Sequence, residues 1–242
     1  ADFRACQSVA DADEFVRARS GNVVIKYDGL AAGKGVYVCD SLEEAAAAFA
    51  DLQDLHGYDF PFVVEEKLLG DEVSIIAFTD GKNLRLLLPA QDHKQIFDGD
   101  KGANTGGMGA YCPVPWCNAD IMAAIRAQVI EPTMHGIQSE GFDYKGIIYF
   151  GLMITADGAY NLEYNVRLGD PEAQVLLPSL RTPLADVIAA CLDGNLGNLS
   201  LQYENNYFVD VVKTAEGYPA RPKTGETIRQ LAPFAPDTLL FY

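Results

Sequence analysis

Two Asp-Gly pairs, Asp80-Gly81 and Asp157-Gly158, each stand between short apolar runs, and they constrain the fold of this chain more than any other feature. Asp-Gly suits a tight turn between antiparallel strands, because glycine accepts a left-handed backbone that other residues resist. The first pair joins a strand over Glu72 to Thr79 to one over Leu84 to Leu88. The second joins a strand near Ile147 to Ile154 to the strand carrying Glu163 and Asn165. A chain dominated by hairpins argues against a purely parallel doubly wound sheet and for an α+β architecture.

Other elements follow from local chemistry. Asn22 to Lys26 reads as a buried strand, with Val36 to Cys39 as its partner across a glycine-rich turn, and Phe60 to Glu66 as a further strand. Ser41 with Glu44 three residues on is a capping-box pattern ahead of an alanine-rich helix. A long polar, glycine-rich loop is expected from about Asp92 to Tyr111, then a helix from about Ala119 that Pro132 should kink or end. A last helix should take Thr182 as cap and Pro183 as first residue, with Gly194 as its stop.

Composition narrows the partners. The 242 residues are 49% hydrophobic and 21% charged, enough for a substantial core in one large domain or two unequal ones. A formal charge of −16 with no basic run argues against sequence-independent binding to nucleic acid or to anionic membranes. Any phosphate must be held by local cations, backbone N–H groups and metal. The charged first twenty residues are unlike a signal peptide and there is no long uninterrupted apolar run, so a cytoplasmic protein is expected. The five cysteines are scattered without a Cys-x-x-Cys pair, which fits free, buried thiols.

Four segments carry candidate chemistry. In Leu162-Glu163-Tyr164-Asn165-Val166-Arg167, residues i and i+2 share a strand face, so Glu163 and Asn165 can reach one Mg²⁺ while Arg167 extends toward an anion. From these residues alone an ordinary exposed strand edge serves as well. Lys26 to Val36 places a lysine at a strand end and a second, Lys34, between Gly33 and Gly35. Glycines admit phosphate to the backbone, although the spacing is not that of a P-loop, and taken alone the segment reads better as a glycine-rich hairpin that merely turns the chain. Val63 to Ser74 is a strand that bends and returns, offering backbone groups to an adenine edge and a carboxylate to a ribose. Gln91-Asp92-His93-Lys94 and the glycine-rich run to Tyr111 imply mobility or close approach to a ligand.

In this order the segments resemble the ATP-grasp fold, and more narrowly the glycinamide ribonucleotide synthetase (phosphoribosylamine–glycine ligase) family. The resemblance rests on VIKYDGLAAGKGV (Val24 to Val36), Glu65 to Ser74, QDHK (Gln91 to Lys94), NTGGMGAY (Asn104 to Tyr111) and EYNVRLGDPE (Glu163 to Glu172). QDHK and NTGGMGAY are the specific motifs. Tyr27 stands where the family has alanine, Lys67 where it has an aromatic residue and Ala103 where it has proline; Lys67 is the departure that bears on the adenine pocket.

The resemblance implies two α+β lobes clasping ATP, with Mg²⁺ or Mn²⁺, and the joining of glycine to 5-phosphoribosylamine through glycyl phosphate in purine biosynthesis. It implies phosphate contacts from Lys26 and Lys34 with Gly33 and Gly35, adenine contacts from Glu65, Glu66 and Leu68, and ribose contact from Glu72. Glu163 and Asn165 would ligate metal, Arg167 would steady the carboxylate or acyl phosphate, and Asp92, Lys94 and the Asn104 to Tyr111 loop would close over the reacting centre. No acidic residue lies on the strand from Ile147 to Ile154, so phosphates and water should complete the metal shell. The implied layout is an ATP-grasp domain over residues 1–195, with a small lobe at about 20–75 and a larger one at about 76–195. Residues 196–242 would begin a small C-terminal β-rich domain, cut short, and the family's amino-terminal domain would be absent. A monomer acting on small molecules, with no nucleic acid or membrane partner, is expected.

Overall fold

The computed structural model describes residues 1–30, 35–99, 101–229 and 234–241, which fall into two compact units, Ala1–Gly70 and Asp71–Tyr242. Both mix helices with antiparallel sheets, as the hairpins require.

The first unit runs β1 (Phe3–Cys6), α1 (Val9–Ala18), β2 (Asn22–Tyr27), β3 (Val36–Asp40), α2 (Leu42–His56) and β4 (Phe62–Glu66). Its sheet is ordered β1-β4-β2-β3, every neighbouring pair antiparallel. Alternation decides the packing: Val23, Ile25, Phe62 and Val64 are buried against Phe15, Val16, Phe49 and Leu52 of the helices. Lys26 and Glu65 therefore face away from that core. The predicted cap holds, since Ser41 Oγ accepts the Glu44 N–H at 3.1 Å; Glu44 reaches back to the N–H of Asp40 rather than of Ser41.

The second unit contains β5 (Asp71–Thr79), β6 (Leu84–Leu86), β7 (Gln91–Asp92), β8 (Gln95–Phe97), β9 (Lys101–Asn104), β10 (Gly109–Cys112), α3 (Ala119–Ile125), α4 (Glu131–Ser139), β11 (Gly146–Thr155), β12 (Gly158–Asn165), α5 (Glu172–Ser179), α6 (Leu184–Leu192) and β13 (Phe208–Val211). Its main sheet is ordered β12-β11-β5-β6, beside a sheet β13-β10-β7 and the hairpin β8-β9. The central strands are covered on both faces. Val73, Ile75, Phe150 and Leu152 pack on Ile125, Val129 and Ile130, whereas Ile76, Phe78 and Tyr149 pack toward Val175, Leu176 and Val187. Residues 196–229 and 234–241 lie within this unit, where β13 pairs with β10.

Several local expectations are corrected. The segment from Asp92 to Tyr111 is not one long loop but carries β7 to β10: β8 and β9 form a hairpin, and β10 pairs with β7 on one side and with the distant β13 on the other, strands too short for alternation to mark them. Pro132 does not end the helix. A π-helical stretch, Arg126–Ile130, precedes α4 and absorbs the missing proline N–H, leaving Pro132 in the first turn of α4. Pro183 rather than Thr182 caps α6, and the Thr182 hydroxyl instead accepts the Gln202 N–H at 2.8 Å. The second hairpin turns on Ala156 and Asp157, since Thr155 pairs directly with Gly158, whose φ is +137°.

One irregularity matters for the site. Leu152 pairs with Asn161 and Gly151 with Glu163, so Leu162 is the extra residue of a β-bulge.

Candidate functional site

The register of the second unit brings five of the expected side chains, Glu72, Asp92, Lys94, Glu163 and Asn165, to one sheet face. Residues opposite one another in adjacent strands share a face, so Ser74, Gly151 and Glu163 form one row. Ile76, Tyr149 and Asn165 form the next. An isolated bridge between Ser74 and Ala90 extends the first row, and two residues further along each chain it brings Asp92 beside Glu72. The bulge at Leu162 is what turns Glu163 and Asn165 to this face.

Glu163 and Asn165 lie together, Asn165 Nδ2 donating to Glu163 Oε1 at 3.2 Å. Gly151 makes room for them: a Cβ there would stand 2.9 Å from Glu163 Cγ. Across the face, Lys94 Nζ lies 3.3 Å from Glu72 Oε2 and 3.7 Å from Asp92 Oδ2. Burial pushes the Asp92 carboxyl up to about 6, a shift that Lys94 opposes and that Glu172 and Glu72 reinforce. Burial works against the Lys94 ammonium, but Asp92, Glu72 and Glu163 outweigh it and raise its affinity for the proton. A cation is thus held among carboxylates where an anionic ligand could compete for it.

Among the described residues no group of three or more His, Cys, Asp or Glu could hold a metal ion. The donors present, a carboxylate and an amide oxygen on one face, fit a hard cation that retains phosphate and water ligands rather than an all-protein cage.

In the first unit, Lys26 Nζ lies 2.7 Å from Glu65 Oε2 on the sheet face away from the core. Glu66 alternates to the opposite face, where it accepts the Asp2 N–H at 3.0 Å, and Leu68 is half-buried. Lys67 is ion-paired with Asp40. Gly35 is buried and its carbonyl accepts the Tyr27 N–H at 2.8 Å. Gly33 and Lys34 lie outside the described residues. Tyr27 stacks on His56, ring centroids 3.9 Å apart. Arg167 is exposed, its Nη1 donating to the Leu168 carbonyl at 2.9 Å.

Sequence reasoning missed a buried cluster on the same face. Glu172 Oε1 accepts from Ser74 Oγ and from the Tyr149 hydroxyl, each at 2.9 Å, and the two hydroxyls are 2.8 Å apart. Desolvation, with Glu172 nearby, raises the Tyr149 hydroxyl strongly. A signal was present, because Glu172, Val175, Leu176 and Ser179 occupy the buried i, i+3, i+4, i+7 stripe of α5.

Residues 1–173 match the model of the phosphoribosylglycinamide synthetase ATP-grasp (A) domain. The chain belongs to this family. A phosphoribosylamine–glycine ligase of Nostoc is 47% identical over 223 residues, covering 90% of this chain and 52% of that protein. The trifunctional purine biosynthetic protein adenosine-3 of Drosophila melanogaster is 44% identical over 91% of the chain and 17% of its own length. The crystal structure of a phosphoribosylamine–glycine ligase from Thermotoga maritima has a TM-score of 0.80 at 35% identity, over 92% of this chain and 57% of that one. An L-amino acid ligase from Bacillus licheniformis, at 15% identity and a TM-score of 0.62, shares the fold alone. This phosphoribosylglycinamide synthetase ATP-grasp domain spans about half the length of the ligases it matches.

Proposed function

We propose that the chain is the ATP-handling part of a phosphoribosylamine–glycine ligase that joins glycine to 5-phosphoribosylamine, giving glycinamide ribonucleotide, ADP and phosphate. The observation that carries the reading is the face of the second unit on which Glu163, Asn165, Glu72, Asp92 and Lys94 converge. Acyl transfer through a glycyl phosphate needs charge neutralisation and alignment rather than a protein nucleophile, and this face supplies carboxylates, an amide and a lysine ammonium.

In this reading Lys26, with Lys34 and the glycines beside it, takes the phosphates. The Glu65 to Leu68 segment takes the adenine and Glu72 the ribose. Glu163 and Asn165 hold Mg²⁺ or Mn²⁺, which would neutralise phosphate charge as it shifts. Lys94 leaves Glu72 and Asp92 for the transferring group, and Arg167 orients the carboxylate of glycine. The amine that displaces phosphate must lose a proton, and Asp92, raised toward neutrality, is suited to receive it. The enzyme is proposed to work as a cytoplasmic monomer.

ADP release titrated with glycine against alanine and serine, in the presence of 5-phosphoribosylamine and Mg²⁺, tests the reading. Release that depends on glycine supports it; equal release with all three amino acids would point to another ATP-grasp ligase.

A further inference from the structure

Glu172 has no place in the roles above, yet it is 2% exposed and accepts from two hydroxyls, those of Ser74 on β5 and Tyr149 on β11. Ser74 lies in the row of Glu163, and Tyr149 is the direct register partner of Asn165. The chain leaves the sheet at Asn165 and starts α5 at Glu172. Residues 166–171, with Arg167 among them, therefore form a loop fixed at both ends to the same face.

Close contacts show how tightly the second end is seated. A Cβ on Gly169 would stand 2.2 Å from Glu172 Oε2, and the Gly169 carbonyl accepts the Ala173 N–H at 3.0 Å. A Cβ on Gly107, in the NTGGMGAY motif, would stand 2.4 Å from Pro171 Cδ. Two glycines thus let the Gly107 loop and the Gly169 turn approach the start of α5, and Glu172 ties that start to the sheet.

We propose that Glu172 is a positioning residue for Arg167: held by the Ser74 and Tyr149 hydroxyls, it pins the far end of the Arg167 loop to the face that carries Glu163 and Asn165. The part of the inference that concerns glycine rests on the reading of Arg167 above; the part that concerns the loop does not. A short loop anchored at both ends confines its arginine, whereas release of one end restores rotational freedom that binding must then remove. The two accepted hydrogen bonds need one oxygen, which glutamine keeps and alanine lacks.

Amide hydrogen exchange, Mg²⁺–ATP calorimetry and glycine-dependent ADP release on the wild-type chain, E172A and E172Q separate these statements. In E172A, exchange across residues 166–171 should quicken roughly tenfold while β12 and the body of α5 stay protected. The glycine concentration that half-saturates ADP release should rise about tenfold while Mg²⁺–ATP affinity stays near that of the wild type, with E172Q restoring both loop protection and glycine use. A core variant of equal thermal destabilisation, Val187→Ala, should leave glycine use unchanged. Unchanged exchange at 166–171 in folded E172A overturns the proposal. If the loop loosens but the wild type shows no glycine-dependent ADP release, the ligase reading fails and the anchoring survives. Should E172A not fold, Ser74→Ala and Tyr149→Phe each remove one donor and must loosen the same loop; unfolding in all of them would make Glu172 a stability residue and end the proposal.

Discussion

Lys26 Nζ sits 2.7 Å from Glu65 Oε2, with both side chains about three-quarters shielded from solvent. A phosphate that recruits Lys26 must compete with this carboxylate. Glu65→Gln should therefore tighten the binding of inorganic tripolyphosphate, which offers charge without adenine, by a few-fold, roughly 1 kcal/mol for a partly screened pair. Calorimetry reads the effect; weaker tripolyphosphate binding in the variant would remove Glu65 as a competitor.

Glu163→Gln should weaken Mg²⁺-dependent nucleotide binding by about tenfold or more while leaving the unfolding midpoint near that of the wild type, because the side chain is exposed and faces no apolar core. Affinity unchanged in excess Mg²⁺ would show that the metal is held elsewhere.

The Asp92 carboxyl, shifted from 3.8 to about 6, makes a pH prediction with a definite sign. Its folded value lies above its unfolded value, so protonated Asp92 favours the fold. That contribution is complete below about pH 4 and is lost as the pH rises through about 6. Asp92→Asn keeps a neutral side chain throughout and should gain stability relative to wild type between about pH 4 and pH 8, on the order of 3 kcal/mol. Urea unfolding at the two pH values measures it, and a pH-independent difference would contradict the shift.

Asp80 behaves oppositely. It is buried, which alone would raise its pKa, but it accepts the N–H groups of Asn83, Lys82 and Leu196, and the net shift is downward. Its stabilisation is present above the unfolded carboxyl value and lost as the pH falls through the folded one. Asp80→Ala should cost about 2–4 kcal/mol at neutral pH by stranding buried donors. The gap from wild type should narrow in acid. Denaturant curves test both statements, and faster exchange of the Leu196 amide should accompany the loss.

Much of this was legible because it is local. Val23 and Ile25 alternate into the core as their spacing implies, Ser41 caps, and Gly194 closes α6 with φ +71°. What escaped depends on distant partners. The strand Gly109–Cys112 is made by pairing with Phe208–Val211, almost a hundred residues later. The π-helical stretch Arg126–Ile130 before Pro132 also escaped, since nothing in its own residues distinguishes it from an ordinary helical turn. The two-residue spacing of Glu163 and Asn165 does place them on one face, but nothing local singled out Glu172, because an acidic residue in a first helical turn ordinarily faces water.

The bulge at Leu162 gives β12 an arithmetic of its own. Counting outward from the turn at Ala156 and Asp157, unbroken alternation would send Glu163 and Asn165 into the apolar layer and Tyr164 to the ligand face. The extra residue reverses that parity once. A deletion of one residue at Leu162 can thus be absorbed with every later partner unchanged, while an insertion on the ligand side of it would swap the two faces of the strand's end. The spacing of Glu163 and Asn165 is consequently protected against loss of length and vulnerable to gain, an asymmetry that a deletion and insertion scan through residues 158–165 would record directly as retained or abolished metal binding.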